Sequence, residues 1–131
     1  MKIFKATFTA LIILVLMAAG KNCSKGIEEG FYTGTFKVVY GNGTFTGKTT
    51  LELREFKYSC EGNDNRIPGG GSGTYELDKN RITFHDENMW TADFDWNLIL
   101  TGEYDYTVKG KNLTLSARKN NAVYEYDLLK K

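Results

Sequence analysis

The sequence has only one histidine, one proline and two cysteines among its 131 residues. A lone histidine without a nucleophile in a matching pattern makes a Ser-His-Asp triad a poor explanation of function. Cys60 has no base near it in the sequence and sits on an apolar face, which is a poor setting for a nucleophile. Hydrolysis of glycosides by two carboxylates is the one catalytic alternative left, because folding can bring carboxylates together from distant positions. We therefore expect a protein that is not an enzyme and needs no cofactor.

The chain also lacks an excess of positive charge. It has 17 Lys and Arg side chains against 16 Asp and Glu, and the two signs are interspersed. A nucleic-acid-binding surface needs a clustered excess of cations that can contact phosphates. The composition therefore predicts no nucleic-acid partner.

One long hydrophobic run is present, the uncharged segment "ATFTALIILVLMAAG" at residues 6–20. Its 15 residues are fewer than the roughly 20 that a transmembrane helix needs. Lys2 and Lys5 precede it, and a short apolar run behind a positive segment is typical of a secretory signal peptide. A buried N-terminal helix and a single membrane anchor are the alternatives. The pattern favours export.

Two cleavage sites follow the run. The small residues Ala18 and Gly20 suit an ordinary signal peptidase, which would cut before Lys21. The other site lies before Cys23, where the fragment "NCSKG" behind an apolar run resembles the start of bacterial lipoproteins. That resemblance implies that Cys23 becomes the lipidated first residue and attaches the protein to a membrane.

Our preferred division of the chain follows the second site. Residues 1–22 are then a lipoprotein-type signal peptide, residues 23–29 a short tether and residues 30–131 the folded domain. This predicts an exported, membrane-anchored lipoprotein of the cell envelope, periplasmic or at the outer-membrane surface. The alternative is a soluble secreted protein in which Cys23 and Cys60 form the one possible disulfide.

After Gly30 the apolar residues alternate with polar ones, as in a strand with one buried face. Short joints separate the alternating segments and suit tight hairpins, which make sequential strands antiparallel neighbours. Eight strands with one apolar face each can hide those faces by closing into a barrel, which also removes free edges. We therefore predict an all-β, eight-stranded, antiparallel up-and-down barrel, with a β-sandwich as the alternative. The hairpin joints are Gly41-Asn42-Gly43, Lys79-Asn80, Lys109-Gly110-Lys111 and Asn120-Asn121.

Fourteen aromatic residues fall on faces that the alternation predicts to point inward. An eight-stranded barrel is wide enough to be filled by side chains or to hold one small ligand, so this many rings leave little room. Any ligand should be small and flat and should bind near the barrel mouth. The predicted inward rings are Tyr32, Phe36, Tyr40, Phe45, Phe56, Tyr58, Tyr75, Phe84, Phe94, Trp96, Tyr104, Tyr106, Tyr124 and Tyr126.

The opening "EGFYTGTF", the hairpin "GTYELDKNRITF" and the all-hairpin order resemble the lipocalin-like (calycin-type) domains of small secreted bacterial lipoproteins. The resemblance covers residues 28–129. It implies an up-and-down barrel and a role in binding.

Residues 85–108 contain both tryptophans and the only histidine. Alternation persists over residues 92–108, which would make a strand over 50 Å long at about 3.3 Å per residue. We expect it to break or bulge near Asn97 or Gly102, with a long flap or edge strand before the break. The acidic residues here do not match the spacing of a calcium loop, so we predict no metal site.

This stretch supplies the predicted ligand site of a small apolar or flat molecule. Met89 and Trp90 would cap the barrel mouth, Trp96 would line it, and Tyr104 and Tyr106 would complete the site. The alternative is that these residues simply plug the barrel end as core.

A second function remains open, in which the protein is an interaction or inhibitor module. It would use the long polar loop at residues 61–73, which contains the only proline, together with the flap at residues 86–97. Its protein partner is not indicated by the sequence.

Overall fold

The computed structural model describes residues 26–131, so the predicted signal peptide and Cys23 lie outside the described residues. Within this range the chain forms eight strands and one short 3₁₀ turn at Trp96–Leu98, and contains no helix long and apolar enough to cross a bilayer. The strands are β1 Gly30–Tyr40, β2 Gly43–Arg54, β3 Lys57–Cys60, β4 Gly71–Asp78, β5 Arg81–Asp86, β6 Gly102–Lys109, β7 Asn112–Lys119 and β8 Ala122–Lys130.

Each strand pairs antiparallel with the next, and β1 pairs with β8 to close the barrel. The closing ladder runs from Tyr32 opposite Lys130 to Val39 opposite Val123. Closure gives every strand of the described sheet a neighbour on both sides, which is the usual solution for strands with one apolar face. The predicted eight-stranded up-and-down barrel is confirmed, and the sandwich alternative is not adopted.

The two ends of the barrel differ in the length of their connections. The tether end carries residues 26–29, the turns at 55–56, 79–80 and 110–111, and the last residues of β8. The loop end carries the short turns at 41–42 and 120–121 and two long segments. We call these the proline loop, residues 61–70, and the tryptophan loop, residues 87–101.

Some of the predicted turns are confirmed by their backbone. Gly110, Asn120 and Asn121 have positive φ angles of 59°, 50° and 64°, as tight hairpins require. The turn at Glu55 and Phe56, whose φ angles are 52° and 61°, is not among the predicted joints. Neither glutamate nor phenylalanine favours a positive φ angle, so the sequence carries no signature of this turn.

The unforeseen turn corrects one predicted inward ring. Phe56 is 62% exposed, because it occupies the turn and β3 begins only at Lys57. Phe45 also lies largely outside the core, since it sits on β2 close to the loop end. The alternation rule assigns faces correctly along a ladder but not at its last residues.

Most of the remaining inward residues fill the barrel. The core has aromatic rings in contact throughout its length, such as Tyr58 with Phe84 at 4.8 Å and Phe36 with Tyr126 at 4.7 Å between ring centroids. The largest fully buried side chains are Tyr104, Tyr124, Tyr126, Phe36, Phe84, Leu51, Leu53, Ile82, Leu100, Leu113, Leu115 and Leu128.

Several polar groups lie within this core. The Tyr58 hydroxyl donates to the carbonyl of Leu100 at 2.6 Å. The Cys60 thiol lies 3.3 Å from the Thr49 hydroxyl, and burial raises its pKa to about 12. The Tyr126 hydroxyl is the one buried side-chain oxygen or nitrogen in residues 26–131 without a hydrogen-bond partner, and burial also raises its pKa.

Candidate functional site

The two long loops pack against each other over the loop end. The amide of Gly69 donates to the carbonyl of Leu98, and the amide of Leu100 donates to the carbonyl of Gly70, both at 2.8 Å. These bonds satisfy backbone groups that no strand ladder reaches. The proline loop and the tryptophan loop therefore form one continuous surface.

Arg66 is the main side-chain connection between the loops. Its guanidinium lies 3.1 Å from the Asp93 carboxylate and 3.3 Å from the Thr91 hydroxyl, and it stacks 4.3 Å from the centroid of the Phe94 ring. Arginine over an aromatic face adds a cation–π attraction to the ion pair. The Thr91 hydrogen bond, assisted by the charge of Arg66, lowers the pKa of Asp93.

Apolar residues of the same loops close the barrel beneath this surface. Leu98, Ile99 and Leu100 are buried, and Ile67 and Phe94 pack against the core from above. Core residues therefore do plug this end of the barrel, as the alternative to a ligand site predicted, but Met89 and Trp96 are not among them. The set differs because residues 92–101 do not continue a strand.

The tryptophan loop departs from the predicted flap at two points. Asp95 accepts a hydrogen bond from the amide of Asn97 at 2.9 Å and so caps the 3₁₀ turn. Strand β6 begins only at Gly102, whose φ of 88° suits glycine. Of the two positions expected for the break, Asn97 or Gly102, the strand boundary lies at Gly102, and the preceding residues form a loop rather than a long edge strand. A single isolated bridge between Gly70 and Ile99 is the only strand-like pairing between the two loops.

A polar cluster lies in the mouth under the tryptophan loop. The Asp95 carboxylate accepts from the Tyr40 hydroxyl at 2.9 Å and from the Tyr124 hydroxyl at 3.4 Å. Lys119 donates to the carbonyl of Thr101 at 2.8 Å. Burial lowers the pKa of Lys119, and the nearby charge of Asp95 acts in the opposite direction. The cluster connects the loop to strands β1, β7 and β8.

Sequence reasoning missed this cluster. Alternation assigned Asp95 to the outer face and gave Lys119 no role. The first assignment fails because Asp95 belongs to a turn. Lys119 continues the inward positions Leu113, Leu115 and Ala117 of β7, so the alternation does indicate its direction but not that it meets the tryptophan loop.

The five residues predicted to bind a ligand do not converge on one mouth. Tyr104 and Tyr106 lie in the core at 1% and 8% exposure. The Tyr106 hydroxyl donates to the carbonyl of Lys79 at 3.2 Å, which places that ring at the tether end. Alternation correctly turned both rings inward, but the length of β6 separates Tyr106 from the loop end.

The other three predicted ligand-binding residues, Met89, Trp90 and Trp96, lie on the tryptophan loop. Met89 is 99% exposed and Trp96 is 53% exposed. The Trp96 indole donates to the carbonyl of Thr91 at 2.8 Å, so its ring is fixed to the loop while its face meets solvent. Trp90 is half-buried, donates to Asp86 and lies 5.9 Å from the Phe94 ring. An aromatic and a methionine are thus displayed outward rather than into the barrel.

The acidic residues near the only histidine do not gather into a metal-binding cluster among the described residues. His85 lies 3.7 Å from Glu76 on the outer wall, where both side chains are largely exposed. In residues 26–131 no three or more His, Cys, Asp or Glu side chains are placed to hold a metal ion together.

Comparisons with protein-family models, with curated proteins and with solved structures give no match to this chain.

Proposed function

We propose that the protein is a non-catalytic binding module that recognises a protein partner through its loop end. This is the second of the two functions that the sequence left open. One observation carries the proposal. The two loops expected to act in it are joined into a single surface, from which Met89 and Trp96 project.

The chemistry of this surface suits a protein partner. Tryptophan is among the residues that contribute most to binding when a partner covers them. The hydrogen bond from Trp96 to Thr91 fixes the ring beforehand, which reduces the conformational entropy lost on binding. The two loops contain five carboxylates and a single cation, Arg66. We therefore expect a partner that places an apolar side chain on Trp96 and cations around it.

Export and anchoring belong to the same proposal, with residues 1–22 as the signal peptide and Cys23 as the lipidated residue. The state of Cys60 supports this version over the disulfide. Its thiol is 6% exposed and faces the Thr49 hydroxyl inside the barrel, and Cys60 ends β3 toward the loop end, whereas the described chain begins at the tether end. A disulfide to Cys23 would require this thiol to leave the core.

A small flat apolar ligand is the second candidate, in line with the lipocalin-like resemblance. It is favoured by the exposed face of Trp96 and by the half-buried Trp90 on the same loop. Because side chains fill the interior, such a ligand would bind on the tryptophan loop. Titration of the protein with a panel of flat aromatic compounds, followed by the emission of its two tryptophans, tests this candidate. Emission that no compound of the panel changes rejects it.

A matched pair of variants tests the partner proposal. Trp96→Ser and Phe31→Ser each remove an aromatic ring that is 53% exposed, one at the loop end and one at the tether end. Each variant is first shown to keep the wild-type melting temperature. The wild type and both variants are then immobilised and used to capture envelope proteins from a detergent extract of the native host. We expect one specific protein to be captured by the wild type and by Phe31→Ser and lost with Trp96→Ser. Identical capture by all three proteins would reject the proposal.

A further inference from the structure

The two ends of the barrel carry opposite charge. The tether-end segments, residues 26–29, 54–57, 78–81, 109–112 and 129–131, contain eight Lys and Arg side chains against four Asp and Glu. The two long loops at the other end contain five carboxylates and one arginine. Arg54, Arg81 and Lys130 are ion-paired with neighbouring carboxylates. The other cations of the tether end are Lys57, Lys79, Lys109, Lys111 and Lys131.

Large apolar side chains are exposed among these cations. Phe31 and Leu129 are each 53% exposed and lie on the outer wall of neighbouring strands, since Leu129 pairs with Thr33. Phe56 is 62% exposed at the turn between β2 and β3. Leu77 is 36% exposed near the end of β4 and lines a shallow groove with Phe56. Rings and aliphatic groups with lysines around them match the composition of surfaces that lie in a membrane interface.

The chain enters the barrel at this same end, and its path there is fixed. Ile27 is buried against the core. The Glu28 carboxylate lies 2.6 Å from the Lys130 ammonium, and the Glu29 carboxylate accepts from the amide of Glu55 at 2.9 Å. The described part of the predicted tether is therefore packed onto the barrel from Ile27 onward.

Few residues separate Gly26 from either predicted membrane attachment, which is a lipid on Cys23 or the apolar run at residues 6–20. Cys23 lies three positions before Gly26, and the apolar run ends six positions before it. An extended chain spans at most about 3.5 Å per residue, so the attachment lies within roughly 10 to 20 Å of the tether end. With either attachment, the tether end of the barrel cannot move farther than this from the membrane.

We propose that the tether end docks directly on an anionic phospholipid bilayer. The lysines other than Lys130 contact lipid phosphates, and Phe31, Phe56 and Leu129 enter the interface between headgroups and acyl chains. Electrostatic attraction of lysines to an anionic leaflet acts within about one Debye length of the surface, roughly 8 to 10 Å, and the short tether keeps the lysines within reach of that range. The loop end then points into the aqueous phase. The inference rests on the anchoring part of the proposed function and does not depend on which partner the loop end binds.

A tryptophan reporter at each end tests the docking. Phe56→Trp and Phe45→Trp are made separately in the full-length chain carrying Trp90→Phe and Trp96→Phe, so that each protein has one tryptophan. Phe45 is the matched control because it is 47% exposed near the loop end. The proteins are reconstituted with vesicles of phosphatidylglycerol and phosphatidylcholine that contain brominated acyl chains. Sedimentation with the vesicles measures attachment, and quenching of the tryptophan emission measures docking.

We expect both proteins to sediment and the Phe56→Trp emission to be quenched several-fold more than that of Phe45→Trp. The difference should shrink when Lys109 and Lys111 are replaced by glutamate, and with phosphatidylcholine alone. Equal quenching of the two reporters in sedimented protein would overturn the docking while leaving attachment intact. Protein that stays in the supernatant would overturn both. If Phe56→Trp lowers the melting temperature, Phe31→Trp replaces it as the tether-end reporter.

Discussion

The carboxylate of Asp95 and the hydroxyl of Tyr40 are joined by a 2.9 Å hydrogen bond that fastens the tryptophan loop to the end of β1. The same carboxylate accepts from Tyr124, which is buried, and from the amide of Asn97. One side chain therefore holds the loop to two strands and caps its 3₁₀ turn.

Replacing Asp95 by alanine should destabilise the protein by about 1–3 kcal/mol, because hydroxyl groups at the mouth lose a charged acceptor. The free energy of unfolding in urea measures the loss, and the combined emission of Trp90 and Trp96, which both lie on this loop, reports its release. Asp93→Ala is the control on the same loop. Since Asp93 is largely exposed and its ion pair with Arg66 lies at the surface, its removal should lower the unfolding midpoint much less than that of Asp95. Equal losses in the two variants would contradict the fastening role of Asp95.

The Tyr126 hydroxyl gives a second prediction. Because it is buried without a hydrogen-bond partner, Tyr126→Phe should leave stability unchanged or raise it. Tyr58→Phe is the comparison, since that hydroxyl donates to Leu100 at 2.6 Å and its loss should cost about 0.5–1.5 kcal/mol. Both rings stay in place, so urea unfolding measures the hydroxyl alone. A larger loss for Tyr126→Phe than for Tyr58→Phe would show that the Tyr126 hydroxyl has a partner in solution.

Cys60 should resist alkylation in the folded protein. Its thiol is buried, and burial raises its pKa to about 12, so very little reactive thiolate exists near neutral pH. Iodoacetamide labelling followed by peptide mass spectrometry should find Cys60 unmodified until urea unfolds the barrel. A model thiol in the same tube provides the control for reagent activity. Labelling of Cys60 at the rate of the model thiol in native buffer would be inconsistent with this structure.

Gly47 should be required for the position of the proline loop. A Cβ at this position would collide with the carbonyl of Ile67 and with the side chain of Asn63. Gly47→Ala should therefore cost about 1–3 kcal/mol, as overpacking usually does, and increase protease cleavage within residues 61–70. Gly41→Ala is the matched control, because a Cβ there meets open space. An unchanged melting temperature and cleavage pattern for Gly47→Ala would show that the loop is not seated on β2.

The parts of the fold that sequence could predict are those where one physical rule dominates. Between Tyr32 and Val38, or Tyr124 and Leu128, burial of one face of a paired strand alone determines the side-chain pattern. The number of strands and their order follow from the short hairpin joints. Closure then follows from the need to cover every apolar face.

The candidate site could not be predicted in the same way. In residues 92–100 the alternation continues, but no neighbouring strand supplies a ladder, and the hydrogen bond from Asn97 to Asp95 determines the backbone instead. Which side chains reach the mouth then depends on contacts such as that of Arg66 with Phe94, which join distant positions. The sequence named both loops and Trp96, but not the direction in which Trp96 points.

The ladder between β1 and β8 has a consequence for the order of events in folding. Phe36 pairs with Tyr126, ninety positions further along the chain. Contacts this distant form slowly, because a long loop must close before they contribute any stability. The first strand thus stays without one of its neighbours until the final strand is available. The described barrel therefore cannot close before β8, which ends at Lys130, has left the ribosome, although the local hairpins need no such wait.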